Sequence, residues 1–317
     1  MTAAGNSARR PKGKKTVVVA LGGNALIQKG QQGTIEEQFA NLRLPIRQIA
    51  GLAMDYRIII THGNGPQVGN LLLQQECCAA VPKLPLEILV AQTQGQIGYM
   101  IEATLDSELM ELGVRKHLVS LISYVVVDRA DPAFAEPSKP IGPAYSAQKA
   151  ATLPFPTGKT AKGFRRLVAS PRPVAIVEKE EIAKLIGLDF IVICCGGGGI
   201  PVIRKGRKFH GVDAVVDKDL ASAKLAEELG VDLFLMATDV AGAYLHYGKP
   251  GQRLLRDLSP VEARRYLAAG HFASGSMGPK VEAALEFIAN GGKKAIITSI
   301  GALAAAVAGE AGTVFTP

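Results

Sequence analysis

Four short glycine-rich stretches and a few lysines are the residues of this sequence best suited to chemistry. The stretches are Leu21-Gly22-Gly23-Asn24, His62-Gly63-Asn64-Gly65-Pro66, Cys195-Gly196-Gly197-Gly198-Gly199 and the looser Ser274-Gly275-Ser276-Met277-Gly278-Pro279-Lys280. Glycine lets the main chain approach a ligand closely, and its N–H groups beside a helix N-terminus make an anion site. One Gly-Gly alone reads as a tight turn; four such loops in one chain point to bound anions. Lys218, in Asp217-Lys218-Asp219, and Lys280 both fall where helical patterns open. A lysine there opposes the helix dipole, and a bound polyanion removes that cost. Phosphoryl transfer asks for little covalent help but much positive charge around the moving group. Lysines and main-chain amides, together with Mg²⁺, would supply it.

Other chemistries find less support. Gly158-Lys159-Thr160 resembles the end of a Walker A loop, but Leu153 occupies the slot where that motif needs its first glycine. Gly63, Gly65 and Gly69 approach a dinucleotide fingerprint, but the third glycine comes one place late, with Val68 in its slot. The five histidines show no zinc spacing. His62 ends a strand beside a glycine loop, where an orienting hydrogen bond is as good a reading as catalysis. The four cysteines form two adjacent pairs, Cys77-Cys78 and Cys194-Cys195. That pattern suits thiols of a reducing compartment better than a disulfide framework.

The loops need elements to hold them. Apolar, β-rich runs fall at Thr16–Ala20, Arg57–Thr61, His117–Val127, Phe190–Cys194, Asp232–Ala237 and Lys294–Thr298. Several are apolar throughout, as strands covered on both faces are. Helical patterns lie between them at Glu36–Tyr56 (interrupted near Pro45), Pro66–Ala79, Asp219–Leu229 and Pro279–Asn290. This alternation predicts an α/β fold with a mostly parallel sheet, and open sheets of that kind bind ligands at the carboxyl ends of their strands. The glycine loops follow predicted strands. Between residues 128 and 166 the pattern breaks, with six of the chain's 18 prolines. That segment reads as a protruding subdomain with a lid role.

The chain has 317 residues and a net charge of +8, but Arg9, Arg10, Lys12, Lys14 and Lys15 lie in the first fifteen. The rest is only mildly basic, which suits a small anionic ligand better than a nucleic-acid duplex. Residues 1–15 read as a disordered basic tail; contact of that tail with RNA or a membrane surface is the alternative. The basic start and the run from Val17 to Ile27 mimic a signal peptide, yet two glycines and Asn24 break the run, and Val17–Leu21 reads better as a buried strand. No stretch reaches the length of a membrane span.

Further segments complete a pattern: Val19-Ala-Leu-Gly-Gly-Asn-Ala25, His62-Gly-Asn-Gly-Pro-Gln-Val-Gly-Asn-Leu-Leu-Leu-Gln-Gln75, Gln92-Thr-Gln-Gly-Gln-Ile-Gly-Tyr99, Lys139-Pro-Ile-Gly-Pro143, Ser170-Pro-Arg-Pro173, Val216-Asp-Lys-Asp219, Thr238-Asp-Val240 and Gly275-Ser-Met-Gly-Pro-Lys280. In these the chain resembles the carbamate kinases, within the amino-acid kinase superfamily, almost from end to end. The His62–Gln75 block and Lys-Pro-Ile-Gly-Pro are the most specific.

The resemblance implies the reaction ATP + carbamate ⇌ ADP + carbamoyl phosphate, run toward ATP in arginine catabolism, with Mg²⁺ carried by the nucleotide phosphates and no metal site in the protein. It also implies a cytoplasmic homodimer with an open three-layer αβα sandwich in two lobes. Residues 16–210 would bind carbamate and carry the dimer contact, and residues 211–317 would bind the nucleotide. Gly22, Gly23 and Asn24 would hold carbamate and the moving phosphoryl group, with Gly63, Asn64 and Gly65 beside them. Gly196, Gly197 and Gly198 would touch phosphate. Thr238, Asp239, Val240 and Met277 would border the nucleotide. Lys280 would sit on its phosphates, Lys139 and Lys218 would neutralise transition-state charge, and Asp219 would orient the lysines. The chain departs from the family after Tyr145, where an acidic helical stretch is missing, and at Phe164, which replaces a tryptophan before Arg165-Arg166. Two other readings stay open at this point: a superfamily kinase for another acceptor, and a binding protein that has kept the fold without catalysis.

Overall fold

The computed structural model describes residues 13–78, 80–160, 163–273 and 275–317. Most of the expected basic tail, residues 1–12, lies outside the described residues. Lys15 already joins the body, its carbonyl accepting from the Arg57 amide at 2.9 Å.

A seven-stranded sheet forms the centre. Its order is Thr313–Phe315, Ala295–Ser299, Leu233–Thr238, Thr16–Leu21, Arg57–His62, Ile191–Ile193 and Leu118–Ser120. All neighbours run parallel except the Thr313–Phe315 edge. The chain builds outward from Thr16–Leu21 on one side, then returns to build the other. That reversal puts a crevice at the carboxyl end of this strand. The glycine loops at 22–24 and 63–65 therefore emerge side by side: Leu21 is in register with His62 and Ala237.

Alternation along these strands creates three layers. Val18, Ala20, Ile59, Phe234 and Met236 enter one core. Val17, Val19, Leu21, Ile58, Ile60, Leu233 and Leu235 enter the other. Each face is apolar because each is covered. Helices Lys179–Gly187, Lys218–Leu229 and Met277–Ala289 cover the first, and Ile35–Leu52 and Leu86–Glu111 the second. Burying one such aliphatic side chain is worth about 1.5–3 kcal/mol, so a sheet filled on both faces is the rigid part of the molecule. A separate four-stranded sheet, in the order Lys208–Gly211, Ile200–Lys205, Tyr124–Val127, Pro173–Ile176, lies beside it.

Two expectations are corrected, and two elements are added to the reading. The run from His117 to Val127 is two strands, Leu118–Ser120 and Tyr124–Val127, in different sheets. The chain leaves the first sheet at Ser123, whose amide donates to Gln94 and whose carbonyl accepts from Ile200. Pro45 does not interrupt its helix. Ile35–Leu52 is continuous, opened by a Thr34–Glu37 capping box, and burial of Leu42, Pro45, Ile46 and Ile49 offsets the missing N–H bond. The 26-residue helix Leu86–Glu111 has no counterpart among the expected helices. Its buried positions face two cores, so no single apolar stripe marks it. Finally, the proline-rich segment is regular. It holds a three-stranded antiparallel sheet with Gly163–Val168 in the middle and Lys139–Tyr145 at one edge. Pro140 and Pro143 lie in that edge strand, where a missing N–H costs least.

Candidate active site

Three helix N-termini converge at the carboxyl edge of the sheet: Gly65–Cys77, Lys218–Leu229 and Met277–Ala289. Each presents amides and a positive dipole end. Asp217 caps the second, its Oδ1 accepting from the Asp219 amide at 2.9 Å and the Leu220 amide at 3.4 Å. Asn64 and Ser276 head the other two and make no side-chain capping bond among the described residues. Pro66 and Pro279 carry no N–H in those first turns and the Gly278 amide donates to the Ala273 carbonyl at 2.9 Å, so the Gly65, Gln67 and Met277 amides are the ones that no side chain caps.

Two cavities open among these termini. One, of about 530 Å³, is lined by Gly22, Asn24, Thr238, Asp239, Val240, Met277 and Lys280, with a wall of Tyr244, His246, Tyr247, His271 and Phe272. The other, of about 520 Å³, is lined by Gly63, Asn64, Gly65, Lys139, Arg165, Gly197 and Lys218. Gly23, Asp217, Asp219 and Gly275 line both. The junction therefore carries two carboxylates, with Lys280 facing one cavity and Lys218 the other.

The junction is an ion cluster. Asp219 Oδ1 accepts from Lys218 Nζ at 2.6 Å and Oδ2 from Lys280 Nζ at 2.8 Å. Asp219 and Lys280 are buried, with 4% and 7% of their surface exposed. Burial alone would raise the Asp219 carboxyl, but the two ammonium groups outweigh it and bring it down to about 2. Burial, more than the neighbouring Lys280, pulls Lys218 below the ordinary lysine range, against Asp219. Lys139 reaches in from the proline-rich sheet, Nζ to Asp217 Oδ2 at 2.8 Å. Two carboxylates thus hold three lysines, leaving net positive charge where the cavities meet.

The Cys195–Gly199 loop is placed differently from the other two. Gly197 lines the second cavity, but Gly196 and Gly198 are buried beneath it. A Cβ on Gly196 would come within 2.4 Å of the His62 ring, and one on Gly197 within 2.1 Å of Asn64 Nδ2. These glycines let His62 and Asn64 pack against main chain. His62 is itself buried, and that burial pulls its imidazole down to about 4, so it is neutral at pH 7. Its Nδ1 lies 3.2 Å from the Gly63 carbonyl, which can only accept; Nδ1 therefore carries the proton.

Sequence reading missed the supports. Gln94 donates to the Gly196 and Ser123 carbonyls, at 3.1 and 3.2 Å, tying the loop to the long helix. Ser222 donates to the Lys218 carbonyl at 2.7 Å, so Thr61, 2.6 Å away, donates to Ser222. That relay fastens the first turn of the Lys218–Leu229 helix to a central strand. Arg165 and the aromatic wall were missed too. None of these residues has a spacing signal, because their meeting is purely tertiary.

The amino acid kinase family profile matches residues 15–299. A carbamate kinase of Thermococcus kodakarensis is 47% identical over 94% of this chain and 98% of that protein. One from Trichomonas vaginalis is 43% identical over 95% and 99%. Among solved structures, a Giardia lamblia carbamate kinase bound to AMP-PNP superposes with a TM-score of 0.89 at 40% identity, over 96% of this chain and 98% of that one.

Proposed function

The chain belongs to the amino acid kinase family, and from that premise we propose that it is a carbamate kinase, catalysing ATP + carbamate ⇌ ADP + carbamoyl phosphate. The observation that carries this reading is the meeting of two cavities on one buried Lys218–Asp219–Lys280 cluster. A phosphoryl group passing between donor and acceptor must cross such a boundary. The kinship with carbamate kinases supports carbamate as the acceptor.

The larger cavity takes the nucleotide. Its aromatic wall offers ring faces to a base, Thr238, Asp239, Val240 and Met277 border the nucleoside, and Lys280 lies toward the phosphates. The smaller cavity takes carbamate beside Gly63, Asn64 and Gly65. Gly22, Gly23 and Asn24 cradle the moving phosphoryl group between them. Gly197 presents a phosphate-side amide, with Gly196 and Gly198 shaping the loop that carries it. On this reading residues 16–210 form the carbamate lobe and residues 211–317 the nucleotide lobe.

Carbamate is already an anion and an oxygen nucleophile, so no general base is needed. The difficulty is bringing two anions together. Lys139, Lys218 and Lys280, pre-positioned by Asp217 and Asp219, supply charge that need not reorganise during the reaction. Among the described residues no three His, Cys, Asp or Glu side chains converge on a metal site. We assign Mg²⁺ to the nucleotide phosphates, where it would neutralise charge between them.

Flux toward ATP in arginine breakdown follows the family resemblance. A homodimer through the 16–210 lobe is supported by exposed Ile35, Ile88, Tyr99 and Met110 on two of its helices. No helix among the described residues is long and apolar enough to cross a membrane. Free thiols at all four cysteines suit a cytoplasmic setting. The test is an acceptor panel with ATP and Mg²⁺: carbamate, N-acetylglutamate, glutamate and aspartate. ADP release with carbamate alone agrees with the proposal, and release only with an amino acid contradicts it.

A further inference from the structure

Arg165 is a cavity cation that the phosphoryl-transfer scheme leaves unused. It sits on the middle strand of the proline-rich sheet and lines the acceptor cavity but not the nucleotide cavity. Its Nε donates to the Gly142 carbonyl at 2.9 Å. That bond fixes the side-chain stem and leaves the two terminal nitrogens as donors. Burial pulls the guanidinium down from its ordinary value.

The neighbouring cations are matched differently. Lys139 and Lys218, in the same cavity, each hold a carboxylate. Arg166, next in the strand, bonds Asp213 at 2.6 Å and lies over the Phe155 ring. Among the described residues no carboxylate reaches Arg165. A half-buried guanidinium without a counter-charge, in a cavity it shares with the helix N-terminus at Asn64–Gly65, is a site short of one anion.

Its position selects which anion. The moving phosphoryl group belongs at the junction, with Gly23, Asp217 and Asp219. Lys139 and Lys218 bond Asp217 and Asp219 at that junction, whereas Arg165 is held by the Gly142 carbonyl instead, which leaves it for the part of the acceptor that does not react. Carbamate presents there the oxygen that does not attack phosphorus, beside its amino group, and a guanidinium N–H can donate to that oxygen. Resting on the carbamate kinase reading, we propose that Arg165 binds the carbamoyl end of the acceptor directly, donating to the oxygen that stays behind when the other oxygen carries the phosphoryl group.

The test compares wild type with Arg165→Gln and Arg165→Lys in ATP formation from ADP and carbamoyl phosphate. Losing a charge-assisted hydrogen bond is expected to raise KM for carbamoyl phosphate about 10- to 100-fold, with KM for ADP unchanged. Arg165→Lys, which keeps the charge on a shorter side chain without the Nε bond to Gly142, is expected to fall between. If the wild type forms no ATP, the carbamate kinase reading fails first. If the wild type works and Arg165→Gln matches its KM for carbamoyl phosphate, the Arg165 assignment alone is overturned. Should the variants not fold, phenylglyoxal labelling of wild type, mapped by mass spectrometry, decides. Carbamoyl phosphate at ten times its Kd is expected to slow labelling of Arg165 about tenfold, and ADP to leave it unchanged. Equal labelling with and without carbamoyl phosphate contradicts the proposal.

Discussion

Asp219 and Lys280 form a buried ion pair, Oδ2 to Nζ 2.8 Å, at the boundary between the two cavities. The second oxygen of the same carboxylate holds Lys218. One side chain therefore sets the separation of two cations that line different cavities. Breaking such a pair from the carboxylate side strands two charges, whereas removing one lysine strands none.

That asymmetry separates stability from turnover. Asp219→Asn is expected to lower the unfolding free energy by about 3–5 kcal/mol, because both lysines stay buried without a carboxylate. Lys280→Met keeps the volume and leaves Asp219 paired with Lys218. It should cost much less in urea unfolding while lowering turnover by on the order of 10²–10⁴. Equal stability losses in the two variants would count against the cluster described here.

Two glycines make a matched contrast. Gly197 has φ +67°, and a Cβ there would meet the Asn64 amide. Gly197→Ala should displace Asn64 and cost roughly 1–3 kcal/mol from the backbone alone. A Cβ added at Gly23 would meet nothing within 4 Å. Gly23→Ala should therefore fold normally yet lose activity, since the methyl group would occupy the junction of the cavities. Thermal melts beside ATP-formation rates check both.

Lys139 carries a different expectation. Its bond to Asp217 ties the proline-rich sheet to the Lys218–Leu229 helix. Lys139→Ala is expected to lower kcat/KM for carbamoyl phosphate by on the order of 10²-fold. Its effect on the KM for ADP should be small, because Lys139 lines only the acceptor cavity. A loss confined to ADP binding would contradict that placement.

Acid stability should report His62. Its folded value is about 4 against an ordinary 6.5. The unfolded chain takes up the proton first, so stability present above pH 6.5 falls as pH drops from 6.5 toward 4. The full effect is ~3 kcal/mol. Asp219, lowered to about 2, adds a loss only below about pH 3.8 by the same sign. Unfolding midpoints of wild type and His62→Asn across pH 7 to 4 test this: the variant's slope should be flatter.

The parallel sheet and the loops at its edge were legible because doubly covered strands leave continuous apolar runs, such as Thr16–Leu21, and glycine loops punctuate them. The Leu86–Glu111 helix was hidden because burial against two cores removes the helical stripe. The strands of the proline-rich segment were not legible, because composition does not distinguish an edge strand from an irregular loop. In the site, Lys218, Asp219 and Lys280 stood out by type at helix starts. Arg165, Gln94, Thr61 and Ser222 did not, since only the folded chain brings them to the cavity, the loop or the helix they serve.

Phosphoryl transfer across the Asp219–Lys280 boundary is tested most directly by ATP formation from ADP, Mg²⁺ and carbamoyl phosphate, read with luciferase and corrected for spontaneous decomposition of carbamoyl phosphate. Wild type is expected to make ATP rapidly, and folded Lys280→Met to make it on the order of 10²–10⁴-fold more slowly. No ATP from folded wild type, or undiminished ATP from the variant, would contradict the assignment.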